Sequence, residues 1–124
     1  MSKKKILLAE DSLVIQNITR KVLELNNCEV SFAKDGKQTL EKYAKEHFDL
    51  IILDINMPGM DGIQCAKAIR NLSNPQKAAI PLLAITGNAK NYTENDFKQF
   101  GFNAFLIKPL NFDILIQTVK QYTS

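Results

Sequence analysis

Five short apolar runs recur along the chain, each followed by a longer amphipathic stretch, and this alternation limits the fold more than any other feature. The runs are Ile6-Leu7-Leu8-Ala9, Val30-Ser31-Phe32-Ala33, Leu50-Ile51-Ile52-Leu53, Leu82-Leu83-Ala84-Ile85 and Ala104-Phe105-Leu106-Ile107. Four are continuous, as parallel strands buried on both faces are, because neither face turns to solvent. The second alternates apolar and polar residues from Glu29 onward, which suits a sheet edge. Between the runs, apolar residues repeat at helical spacing. Val14, Ile18, Val22 and Leu25 share one face, as do Leu40, Tyr43 and Ala44, then Ile63, Ala66 and Ile69. A fourth helix is expected from about residue 91 to residue 100, stopped by Gly101 as a C-terminal glycine. The fifth carries Phe112, Leu115, Ile116 and Val119 on one side. The pattern is (βα)5, an α/β chain with a parallel sheet covered by helices on both faces. Right-handed crossovers make it a doubly wound five-stranded sheet, with 2-1-3-4-5 as the expected strand order.

With 124 residues and no repeat, low-complexity tract or linker, the chain reads as one domain spanning residues 1–124. No apolar run approaches the ~18 residues of a spanning helix, and no secretory leader opens the chain. Cys28 and Cys65 are too few for a disulfide framework and lack metal-ligand spacing, so reduced thiols in a cytoplasm are expected. The net charge of +3 is split unevenly: residues 1–62 carry −1 and residues 63–124 carry +4. The only basic run, Lys3-Lys4-Lys5, leads into the first apolar segment and reads as its solubilising start. A nucleic-acid binder would show a stripe. Direct contact with nucleic acid or a membrane is therefore not expected.

In doubly wound sheets ligands bind outside the carboxyl ends of the strands. The residues that follow the five runs are Glu10-Asp11, Asp35, Asp54, Thr86 and Lys108. Strands 1, 3, 4 and 5 thus bring three carboxylates, a hydroxyl and an ammonium to one edge, while Asp35 follows the edge strand and lies farther off. Two unit charges about 4 Å apart at an effective dielectric of about 20 repel by about 4 kcal/mol. A hard divalent cation with oxygen ligands is the natural counter-charge, and magnesium needs only one or two of the carboxylates. The remaining acid can then act as a nucleophile toward a phosphoryl group. Thr86 and Lys108 are suited to hold phosphoryl oxygens, one by hydrogen bond and one as a point charge.

These residues resemble the receiver domains of two-component response regulators, the CheY-like superfamily, from residue 5 to about residue 122. The matching segments are Glu10-Asp11-Ser12, Leu53-Asp54-Ile55-Asn56-Met57-Pro58-Gly59-Met60-Asp61-Gly62, Ile80-Pro81-Leu82-Leu83-Ala84-Ile85-Thr86-Gly87 and Ile107-Lys108-Pro109. The resemblance implies a flavodoxin-like receiver fold and a phosphorylation site at Asp54. It implies Mg²⁺ held by Asp11, Asp54 and the Asn56 carbonyl, with Glu10 acting through a metal-bound water. It also implies a cis Lys108–Pro109 bond, which proline tolerates. Two positions depart from the family: Glu10 where Asp is more common, and Gly87 where Ala is usual.

The same resemblance implies partners: a sensor histidine kinase or histidine phosphotransfer protein as donor, and a downstream protein as target. The output face would be the fourth helix, fifth strand and fifth helix, including Lys98, Gln99 and Gln117. Thr86 and Phe105 would form its switch; Phe105 has no hydroxyl to re-pair, so burial must drive it. Asn56 and Asn88 would govern access of hydrolytic water. Such a domain assists its own phosphorylation and dephosphorylation but is not an enzyme acting on a separate substrate.

Other residues have plainer readings. Asp61 and Asp35 each precede a glycine and fit helix caps; His47 reads as a surface residue, and Met57 and Met60 as packing residues. Two rival chemistries fit poorly. A flavin binder would not meet its phosphate with Glu10-Asp11. A haloacid-dehalogenase-type phosphatase would carry its nucleophile after the first strand and a second acid where Asn56 stands. A pseudo-receiver that docks partners without phosphorylation is the remaining alternative. A stand-alone regulator and a domain of a hybrid kinase or larger regulator both stay open.

Overall fold

The computed structural model describes residues 3–87 and 91–124. Five parallel strands form one sheet in the order β2-β1-β3-β4-β5. In chain order the elements are β1 (Lys4–Ala9), α1 (Leu13–Glu24), β2 (Cys28–Ala33), α2 (Gly36–Lys45), β3 (Leu50–Asp54) and α3 (Gly62–Arg70). They continue as α4 (Pro75–Ala78), β4 (Leu82–Thr86), α5 (Glu94–Phe100), β5 (Ala104–Ile107) and α6 (Phe112–Thr123). The expected fold class and strand order are those observed.

Alternate residues of the central strands enter two cores. Leu7, Ile51, Leu53 and Ala84 pack with Tyr43, Ala66, Ile69 and Phe97 of α2, α3 and α5. Ile6, Leu8, Ile52 and Ile85 pack with Leu23, Leu115 and Val119 of α1 and α6. The sheet is thus covered on both faces, which is why β1, β3 and β4 read as unbroken apolar runs. β5 differs: it is the second edge strand, and Ile107 at its end is 48% exposed. Continuity of the run did not distinguish that edge from the centre.

Three helices depart from the sequence reading. In α1 the row Val14, Ile18, Val22 and Leu25 does not face the core: Val14 is 67% and Ile18 46% exposed, and Leu25 lies just beyond the helix in solvent. The buried residues are Gln16, Thr19 and Leu23. Only three residues separate β1 from α1, and the helix is oriented there by Ser12, whose Oγ accepts from the Ile15 N–H, and by Gln16, whose Nε2 donates to the Glu10 carbonyl. Local polar geometry fixes the rotation against the apolar periodicity. The fourth expected helix starts later, after the Thr93 cap with its reciprocal Asp96 partner, and ends at Gly101 with φ +106°. The extra one-turn helix α4 is too short for periodicity to reveal, although Asn74-Pro75 is a start signal.

The amino end of the sheet is closed by Arg70. Its guanidinium donates to the carbonyls of Ala78 at the end of α4 and Ile80 beyond it, to Gly101 after α5, and to Asn103 Oδ1. That same Oδ1 accepts from the Leu82 N–H, and the Asn103 carbonyl accepts from the Tyr122 hydroxyl. No helix of the described residues is long and apolar enough to cross a membrane.

Candidate functional site

The site is built at the opposite, carboxyl end. Register pairs Ala9 with Leu53, Asp54 with Ile85, and Thr86 with Ile107, so the residues that leave β1, β3, β4 and β5 emerge at nearly one level. Glu10, Asp11 and Asp54 each place a carboxylate oxygen within 4.8 Å of the others. Glu10, Asp54 and Thr86 are buried, whereas Asp11 is exposed at the rim.

Each acid is held differently. Asp54 Oδ1 accepts from the Asn56 N–H at 2.9 Å, and Oδ2 accepts from Lys108 Nζ at 2.8 Å. Glu10 Oε2 accepts from the Ser12 N–H at 3.2 Å. Glu10 Oε1 lies 3.2 Å from Lys108 Nζ, but off the hydrogen-bonding direction, and has no hydrogen bond. Lys108 is itself anchored, its backbone N–H donating to the Thr86 carbonyl at 2.8 Å. The Lys108–Pro109 peptide bond is cis.

Among the described residues one ammonium faces three carboxylates, an excess of negative charge. Burial, and then the adjacent Asp54 carboxylate, push the Glu10 carboxyl up to about 7. For Lys108 burial pulls downward, but Asp54 and Glu10 outweigh it and hold the ammonium above its ordinary value. A buried carboxylate oxygen without a hydrogen bond, beside two further acids, is a fit for a hard cation with oxygen ligands. The acids cluster as they do in receiver Mg²⁺ sites.

The structure brings Glu10, Asp11, Asp54 and Lys108 together, with the Asn56 backbone against Asp54 and Thr86 at the end of the neighbouring strand. Asp35 is separate, capping α2 by accepting from the Gln38 N–H at 2.8 Å. Asp61 caps α3 through a reciprocal pair with Gln64. His47 is exposed beside Asp49, and Met57 is buried. Phe105 is half-buried on β5 and stacks on Phe97, with ring centroids 4.5 Å apart and 16° between planes. Asn88 lies outside the described residues. Sequence reasoning missed Gln16, because nothing in a helical stretch announces that an amide is buried.

A five-stranded 2-1-3-4-5 sheet with this acid-and-lysine edge defines a signalling receiver. The chain belongs to the response regulator receiver domain family, which matches residues 6–120. It is 38% identical over 119 residues to hybrid signal transduction histidine kinase M of Dictyostelium discoideum, covering 94% of this chain. It is 34% identical over 110 residues to the sensor protein EvgS of Escherichia coli, covering 89% of this chain. The chain spans only 5% and 9% of those two relatives' lengths. Among solved structures, the chemotaxis response regulator CheY4 of Vibrio cholerae superposes with a TM-score of 0.88 at 33% identity, covering 98% of this chain and 99% of that one. The receiver domain of a sensor histidine kinase from Pseudomonas aeruginosa, described with a magnesium ion in its active-site cleft, gives 0.87 at 27% identity and covers 98% of each chain.

Proposed function

We propose that the domain accepts a phosphoryl group on Asp54, with Mg²⁺, from a histidine kinase or histidine phosphotransfer protein in a cytoplasm. The observation that carries this reading is the Asp54 carboxylate. It is buried at a strand end, 2.8 Å from Lys108 Nζ and ringed by Glu10 and Asp11.

An Asp54 oxygen would attack phosphorus in line, forming the O–P bond of an acyl phosphate as the P–N bond to the donor imidazole breaks and its electron pair returns to that nitrogen. Asp11, Asp54 and the Asn56 carbonyl would hold the metal, with Glu10 acting through a metal-bound water. Bound Mg²⁺ would supply charge neutralisation for the carboxylates and the entering phosphoryl oxygens. Lys108 Nζ and the Thr86 hydroxyl would each take one phosphoryl oxygen. The site assists one transfer onto its own side chain rather than turning over a separate substrate. The set is complete, which favours this reading over a phosphorylation-independent docking module.

A protein donor must reach Asp54 across the open rim. There α1 exposes Leu13 and Val14, and Ile15 and Ile18 line a groove of about 470 Å³ with Pro109, Leu110 and Phe112. The downstream target would use the face of α5, β5 and α6, where Lys98, Gln99 and Gln117 are exposed. Thr86 moving toward the phosphoryl group would vacate volume behind it for the half-buried Phe105 ring. Burying an aromatic ring is worth about 1.5–3 kcal/mol, enough to bias a two-state equilibrium.

The test is intact-mass spectrometry after incubation with a small phosphodonor and Mg²⁺. One base-labile phosphoryl group should appear on the wild type and none on Asp54→Asn; equal labelling of both would refute the assignment. Ile18→Asp should slow transfer from a protein donor while leaving uptake from the small donor unchanged.

A further inference from the structure

The acid edge depends on how the chain leaves the sheet between β1 and α1. The Glu10 N–H makes the last contact to β2, donating to the Ala33 carbonyl at 3.0 Å. The Glu10 carbonyl is the first backbone acceptor past that ladder, and it is taken by Nε2 of the buried Gln16. This carbonyl and the Asp11 N–H belong to one planar peptide unit, so fixing the oxygen fixes the plane's rotation. The rotation sets where the Asp11 Cα, and with it the carboxylate, sits over the pocket.

Asp11 needs that control. Among the described residues its carboxylate has neither a hydrogen bond nor an ion pair, whereas Glu10 and Asp54 are each tied down by backbone N–H groups and Lys108. The neighbouring acids repel it. Only the backbone keeps it within reach of the other two.

We infer that Gln16 is a positioning residue for the metal cluster: through the Glu10 carbonyl it holds the Asp11 carboxylate where a divalent cation can be shared with Asp54. This rests on the reading of the acid edge as a Mg²⁺ site. It adds that a helix side chain, not one of the ligands, sets the site's affinity. Loss of such an outer partner weakens metal binding by about 10–100-fold where it has been removed elsewhere.

The test uses Gln16→Met, which keeps length and burial but removes the donor, with Thr19→Val as control. Thr19 is buried with Gln16 in α1, three residues further along the helix, and its hydroxyl has no hydrogen bond. Magnesium chloride titrations followed by calorimetry should show Gln16→Met weakened about tenfold and Thr19→Val matching the wild type. In metal-free protein, the Asp11 amide and Glu10 carbonyl resonances should move in Gln16→Met and stay in place in Thr19→Val. Wild-type Mg²⁺ affinity in Gln16→Met with unmoved Asp11 resonances, whatever its melting temperature, would overturn the role and leave Gln16 a packing residue. A wild-type chain indifferent to Mg²⁺ would overturn the metal site itself, and this role with it.

Discussion

At the scale of single residues the described part of the site sets three carboxylates against one ammonium, and burial together with the Asp54 carboxylate makes this felt at Glu10. Its carboxyl is raised from an ordinary 4.5 to about 7 in the folded chain. The folded state therefore binds that proton more tightly than the unfolded state does. The stability this confers is fully present below about pH 4.5 and is lost as pH rises through 7. Metal-free urea denaturation between pH 5 and pH 8 should show stability falling as pH rises. Glu10→Gln should flatten that slope, and an unchanged slope in the variant would assign the titration elsewhere. Asp11→Ala should raise metal-free stability by relieving repulsion, though modestly because Asp11 is solvated, and should weaken the response to Mg²⁺; matched melting curves with and without the metal check both. The three acids and Lys108 were legible in sequence because they stand within two residues of the end of an apolar run, so the strand pattern alone fixes their level. Gln16 and Ser12 were not, since their importance comes from which backbone groups the turn leaves unpaired.

At the scale of elements, the strands were readable because burial on both faces demands continuous apolar residues, while helix rotation was not. In α1 the periodic row Val14-Ile18-Val22 is real but faces largely outward, and the core position is taken by Leu23. Leu23→Ala should cost about 2–5 kcal/mol, whereas Val14→Ala should stay within about 0.5 kcal/mol of wild type; thermal or urea unfolding distinguishes the two. α3 meets the end of β3 as closely as backbone permits. A Cβ on Gly62 would lie 2.6 Å from the Asp54 carbonyl oxygen and 2.7 Å from the Ile55 Cα. Gly62→Ala should therefore push the helix off the strand end, costing about 1–3 kcal/mol as overpacking does, and slow phosphoryl uptake at Asp54. Normal uptake in a folded Gly62→Ala variant would show that the strand end tolerates the shift. Beside the rotation of α1, α4 and the late start of α5 escaped the pattern, because a four-residue turn has no period and the Thr93 cap outranks the apolar residue before it.

At the scale of the whole molecule the two ends of the sheet are opposites. The carboxyl end holds unbalanced charge, and a cation bound only by the folded state should stabilise it by RT ln(1 + [L]/Kd), about 2.7 kcal/mol at a hundredfold excess over Kd. The melting temperature should climb steadily with Mg²⁺ and then with its logarithm. At the amino end, Arg70 gathers the carbonyl termini of α4 and α5 while Asn103 joins β4, β5 and α6. Mechanically that makes a fulcrum. A rod pinned at one tip answers a pull near its other tip by tilting, so α5 should swing about Gly101 rather than slide along the sheet. Amide exchange on phosphorylation should then change progressively less from Phe97 toward Phe102, and cutting the pin with Arg70→Met should let the disturbance spread into the last turn.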